Sequence, residues 1–75
     1  MRGYVVVLEG DDGSGWSAYS PDLPGVVAAA GSRAETEDLM REAMTGHVAV
    51  LRESGLPVPA PSQVSAVTVV ELPAA

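Results

Sequence analysis

The sequence predicts a small α+β domain whose elements follow the order βββαβ. Three short segments with strand-like composition come first, and each is bounded by glycine or proline turns. The pair Ser32 and Glu35 then has the S-x-x-E spacing of a helix capping box, which places a helix start near Arg33. A β-branched run near the end of the chain supplies the last strand. With 75 residues in all, there is room for one domain.

The first three segments are expected to form an antiparallel meander over residues 3–9, 16–20 and 26–30. The glycine-rich stretch 10–15 suits a hairpin loop between the first two strands. Pro21 and Pro24 remove backbone donors and should end the pairing of the second strand. The sequence therefore predicts a three-stranded antiparallel sheet.

A single helix is predicted over residues 33–53. Met40, Met44 and His47 recur at helical spacing, so this stripe should cover one face of the sheet. Gly46 lies within the helix at a cost of about 1 kcal/mol relative to alanine. We interpret this glycine as room for the close approach of another backbone, from the sheet or from a partner.

The segment after the helix is predicted to be a stiff spacer followed by a strand. Prolines at every second position favour an extended polyproline conformation, and the final strand is expected over residues 64–72. The first and last strands carry apolar residues on both faces, although one helix can cover only one sheet face. The uncovered apolar surface predicts an oligomer, at least a dimer.

Charge and composition exclude several classes of function. Ten acidic residues against four arginines and no lysine give a net charge of −6, which repels phosphate backbones, so we expect no direct nucleic-acid binding. Without cysteine, and with His47 as the only histidine, the chain lacks the usual zinc ligands. No apolar stretch approaches the ~20 residues that span a bilayer, and a cytoplasmic protein without membrane contact is expected.

The sequence offers no arrangement that is typical of a catalytic, cofactor or metal site. Asp11 and Asp12 lie beside glycines and are interpreted first as turn formers. Ser14 and Ser17 lack the G-x-S-x-G context of a hydrolase nucleophile. His47 lies on the apolar helix stripe, which favours a packed residue over a catalyst. We therefore predict no enzyme activity, no cofactor and no metal ligands.

Residues 3–72 resemble the HicB-like antitoxin family. The resemblance rests on the valine-rich first strand, the Trp16-to-Pro24 segment with its Ser-Pro-Asp-Leu-Pro-Gly turn, and Gly31-Ser32 before a Glu-rich helix. It implies a truncated RNase H-like fold in an antitoxin that oligomerises and blocks a small basic ribonuclease toxin of the HicA type. Many members continue into a DNA-binding module, whereas this sequence ends at Leu72-Pro73-Ala74-Ala75, so operator binding is not expected of it.

On this interpretation an acidic surface with one aromatic anchor contacts the basic toxin, since opposite charges accelerate association. The candidate partner-binding residues are Asp11, Asp12, Trp16, Asp22, Glu37 and Asp38. Two alternatives remain open. The first is a stand-alone oligomeric HicB-like binding module without a toxin, and the second is a metal-dependent nuclease, which would need converging carboxylates.

Overall fold

Three antiparallel strands and one long helix form the body of the protein. In the computed structural model, the described residues are 3–62, 64 and 66–73. The elements are β1 (Val7–Asp11), β2 (Gly15–Tyr19), β3 (Val27–Ala30) and α1 (Arg33–Glu53). The strands lie in the order β1-β2-β3, so β2 is central and, within the described part of the chain, each outer strand has one unpaired edge. The predicted meander and helix are confirmed.

At the tip of the β1–β2 hairpin, β1 runs two residues further than predicted and β2 begins one residue earlier. Pairing runs from Val7 opposite Tyr19 to Asp11 opposite Gly15, which leaves residues 12–14 as the loop. Gly10 has a φ of +133°. A Cβ there would overlap the Gly15 carbonyl oxygen and lie 2.9 Å from the Cα of Trp16, so the hairpin requires glycine at this position.

At its other end β1 begins later than the predicted start at residue 3. Residues 3–6 have no strand partner because β2 stops at Tyr19, before Pro21. The backbone N–H of Val5 instead donates to the Asp22 carboxylate at 2.7 Å. A side chain therefore replaces the missing ladder partner of this segment.

Helix α1 has the predicted bounds. Ser32 adopts an extended conformation, and its hydroxyl accepts a hydrogen bond from the Glu35 amide at 3.2 Å. At the other end the Leu56 amide donates to Leu51 and the Gly55 amide to Arg52. With Gly55 at a φ of +69°, this is a Schellman termination.

The core lies between α1 and the inner face of the sheet, and α1 packs mainly against β3 and β2. Its buried apolar residues are few: Ala18, Leu23, Val26, Met40 and Met44. Buried Thr36 joins them and donates its hydroxyl proton to the Ser32 carbonyl. Met40 and Met44 of the predicted helix stripe are confirmed as core, whereas His47 is only half-buried at its margin.

The interpretation of Gly46 as a close-approach site for the sheet is wrong. A Cβ at Gly46 would meet nothing within 4 Å, and the residue is exposed. The sheet packs on the other side of the helix, where the two methionines lie.

The final strand predicted over residues 64–72 is not formed in its described part. Residues 64 and 66–72 are exposed and lie in no strand; the remaining position of that range lies outside the described residues. A strand needs a neighbour with free backbone groups, and the described residues of this segment pair with neither outer strand of the sheet. The spacer before it is anchored to the body where the Tyr4 hydroxyl donates to the Pro59 carbonyl at 2.6 Å.

Candidate interaction surfaces

Asp11 at the hairpin tip is a structural acid. One of its carboxylate oxygens accepts hydrogen bonds from the Gly13 amide, the Ser14 amide and the Ser14 hydroxyl, each at 2.8 Å. These bonds lower the pKa of Asp11 below its ordinary value of 3.8 because they stabilise the ionised form, and the bond from the Ser14 hydroxyl has the largest effect. Asp11 therefore remains negatively charged while it closes the turn.

Asp12 and Trp16 form the second half of this tip. The indole N–H of Trp16 donates to the Asp12 carboxylate at 2.9 Å. Trp16 is half-buried, and its ring borders a shallow depression shared with Ser14 and Ala30. A half-buried aromatic ring whose N–H is held by a neighbouring acid is suited to act as an interface anchor.

Glu37 and Asp38 lie in the first two turns of α1. Glu37 pairs with Arg33 at 3.0 Å, and Asp38 pairs with Arg41 at 3.3 Å. All four side chains are well exposed, so these ion pairs contribute little stability. A partner that binds Glu37 or Asp38 therefore has to break only a weak ion pair.

The strand register brings five of the six candidate residues to one end of the molecule. Trp16 lies opposite Ala30, and α1 starts three residues later, so the hairpin tip and the helix N-terminus share this end. Asp22 follows the far end of β2, where its carboxylate holds the Val5 amide. The structure therefore separates Asp22 from the other five candidates.

The outer face of the sheet is uncovered. Ala18 and Ala28 point toward α1, so the alternate residues of the strands face away from it. Val7, Tyr19 and Val27 lie side by side across the three strands on this outer face. Their row is short, and its neighbours along the strands are mostly small or polar.

A second feature, which the sequence reasoning missed, is an open groove between β1 and α1. It has a volume of about 780 Å³ and an apolar floor that includes Val6, Leu8, Met44 and Val48. Three of the four arginines of the chain form its rim: Arg33, Arg41 and Arg52. The signal was present in the sequence as a helical stripe with steps of three or four residues: Arg33, Glu37, Arg41, Thr45, Val48 and Arg52.

The described residues contain no group of three or more His, Asp or Glu side chains placed to hold a metal ion. Across the same described part of the chain, no helix is both long and apolar enough to cross a membrane. The candidate surfaces of the molecule are the acidic hairpin tip with the start of α1 at one end, called the acidic end below, and the arginine-rimmed groove along one side.

A family model described as "HicB_like antitoxin of bacterial toxin-antitoxin system" matches residues 4–71. That range takes in the sheet, the helix, the proline spacer and most of the segment that follows. No curated protein and no solved structure matches the chain. The RNase H-like assignment thus stays a prediction.

Proposed function

Since this chain belongs to the HicB-like antitoxin family of bacterial toxin-antitoxin systems, we propose that it oligomerises and neutralises a small basic HicA-type ribonuclease toxin by direct binding. The observation that supports the proposal most, beyond the family itself, is the acidic end of the molecule around Trp16. A ribonuclease of that type binds RNA through a basic face, and a protein with a net charge of −6 can cover such a face.

The acidic end combines the two contributions that a tight interface needs. Asp11, Asp12, Glu37 and Asp38 supply negative charge, which steers a basic partner and raises the association rate. Trp16 supplies apolar area in a fixed orientation, because its N–H is held by Asp12. Charge governs how fast the complex forms, and the buried ring slows its dissociation.

The role of Asp22 in binding is secondary in this proposal. Its carboxylate satisfies the Val5 amide, and it lies at the opposite end of the sheet. A loss of toxin binding after its replacement would first have to be separated from loosening of residues 3–6. We assign the toxin contact to the hairpin tip and the start of α1.

The direct test is neutralisation by matched charge variants. A small basic protein encoded next to this gene should arrest growth when expressed alone, and co-expression of the wild-type chain should restore it. Asp12→Lys should slow association several-fold at low salt and weaken rescue. Glu53→Lys is the matched control: it changes the net charge equally but lies at the last residue of α1, at the other end of the molecule.

Equal effects of the two substitutions would refute the assignment to the acidic end. A neighbouring gene product that neither arrests growth nor binds would favour the stand-alone module. Cleavage of an RNA substrate by this chain with magnesium or manganese would favour the nuclease.

A further inference from the structure

We propose that the C-terminal segment 66–72, called the tail below, docks in the arginine-rimmed groove of a second copy and adds a strand along its β1. The inference deepens the proposed function, since it rests on oligomerisation and names the segment and the groove that produce it. The exchange is reciprocal in a two-fold dimer: each copy donates its tail and receives the other.

The tail has the composition of a buried strand but lies in solvent. Val67, Val69, Val70 and Leu72 are 73%, 88%, 69% and 80% exposed. The chain extends 48 Å in its longest direction against 27 and 23 Å in the others, with a radius of gyration of 14.4 Å. A compact chain of this length has a radius of gyration of about 11 Å, so part of the chain projects from the body.

The groove is a fitting acceptor for an extended apolar segment. One wall is formed by Leu8 of β1 together with Tyr4 and Val6 before it. Among the described residues β1 pairs only with β2, so its other edge is unpaired. Unpaired backbone groups on an edge strand are a template for strand addition. The apolar floor formed by Val6, Leu8, Met44 and Val48 would be covered by alternate side chains of the added strand.

Charge complementarity supports the same pairing. Glu71 is the only charged residue in the tail. Of the arginines that line the groove, Arg33 pairs with Glu37, which also lines it, and Arg41 pairs with Asp38. Arg52 is the groove arginine without an ion-pair partner among the described residues. Arg52 lies in the last turn of α1, so an added strand whose C-terminal end lies beside that turn would pair Glu71 with Arg52. Because the chain has more acidic than basic residues, an acidic side chain meets less charge repulsion beside these arginines than elsewhere on the surface.

The spacer favours a second copy over closure onto the same chain. Its prolines at 57, 59 and 61 stiffen it, and the bond from the Tyr4 hydroxyl to the Pro59 carbonyl fixes its position. Val58, Pro61 and Ser62 are half-buried along this path. The spacer already passes its own groove, because Tyr4 lines the groove and holds Pro59, yet the tail beyond it lies exposed and in no strand.

Disulfide trapping tests the exchange, because the natural chain has no cysteine. Val69→Cys places a thiol in the tail, and Ala49→Cys places one in the groove wall. When the two full-length variants are mixed and mildly oxidised, the proposal expects a mixed disulfide dimer at twice the chain mass of 7.7 kDa. Val27→Cys, which is 70% exposed on the outer sheet face, is the control and should cross-link to the tail at least ten-fold less.

A variant that carries both cysteines in one chain distinguishes exchange between two copies from closure of the tail onto its own chain. Covalent dimers are expected from exchange, while an intramolecular disulfide in a monomer would overturn it in favour of closure onto the same chain. Cross-linking to Val27→Cys as strong as to Ala49→Cys would also overturn it.

Light scattering on uncrosslinked protein separates this inference from the proposed function. Val69→Asp and Glu71→Arg should each raise the dimer dissociation constant at least ten-fold, while Val27→Asp leaves it within about three-fold. All three positions are exposed, so far-UV circular dichroism should show an unchanged helix. A dimer that tolerates both tail variants would refute tail exchange alone, whereas a wild-type monomer at micromolar concentration would refute oligomerisation as well.

Discussion

Replacement of Gly46 by alanine should stabilise this protein. The residue lies in the interior of α1, is exposed, and has open space where a Cβ would be added. The added methyl group displaces no neighbouring atom, so the free energy of unfolding should rise by the difference in helix propensity, about 1 kcal/mol. For a domain of this size, 1 kcal/mol corresponds to a rise in Tm of roughly 4–8 °C.

The measurement is thermal unfolding followed by far-UV circular dichroism at one fixed protein concentration, since association shifts Tm. Gly25→Ala is the matched control. A Cβ at Gly25 also meets nothing within 4 Å, but its φ of +88° disfavours any side chain. The same substitution there should therefore destabilise the protein, by about 1–2 kcal/mol.

A Gly46→Ala variant with a Tm equal to or below that of the wild type would refute this reasoning. It would show that another backbone packs against the exposed side of α1 in solution, as a partner would. A gain at Gly46 together with a loss at Gly25 would establish that conformation alone decides both effects.

Three further predictions concern the core, the hairpin and the N-terminal segment. Leu23→Ala should cost about 2–5 kcal/mol in urea unfolding, since Leu23 is fully buried in a core of five residues and leaves a cavity; a loss below 1 kcal/mol would contradict this. Because the pKa of Asp11 is lowered on folding, its contribution is complete above the ordinary value of 3.8 and is lost as pH falls through the lowered pKa. Emission from Trp16 should therefore report hairpin opening at a pH below 3.8, and Asp11→Ala should abolish that transition. Asp22→Ala should accelerate hydrogen exchange of the Val5 amide at least ten-fold while exchange in α1 stays unchanged; equal acceleration in both would indicate global destabilisation instead.

The helix and the meander could be predicted from the sequence because their signals are local. Ser32 and Gly55 mark the ends of α1 through contacts with residues at most four positions away, and such contacts do not depend on the rest of the fold. The glycines around the β1–β2 turn act in the same way. Family membership was also readable, since the turn and cap motifs lie close together along the chain.

The start of β1 and the end of the chain depended on contacts between distant residues. Whether residues 3–6 join the sheet is decided by where β2 stops and by the Asp22 carboxylate, 17 positions from Val5. Whether the tail forms a strand is decided by the presence of a free edge within its reach. Composition alone cannot supply that information, because a β-branched run pairs only when a neighbouring strand is available.

The acidic end and the arginine-rimmed groove are likewise products of the tertiary structure. Charges spread along the sequence became two separate surfaces only when the strand register placed the hairpin tip beside the start of α1 and left β1 at an open edge. The sequence by itself determined the elements, their order and the charge they carry, since these follow from local chemistry. The fold decided which of those charges lie together and which edge stays open, because both depend on how distant segments pack.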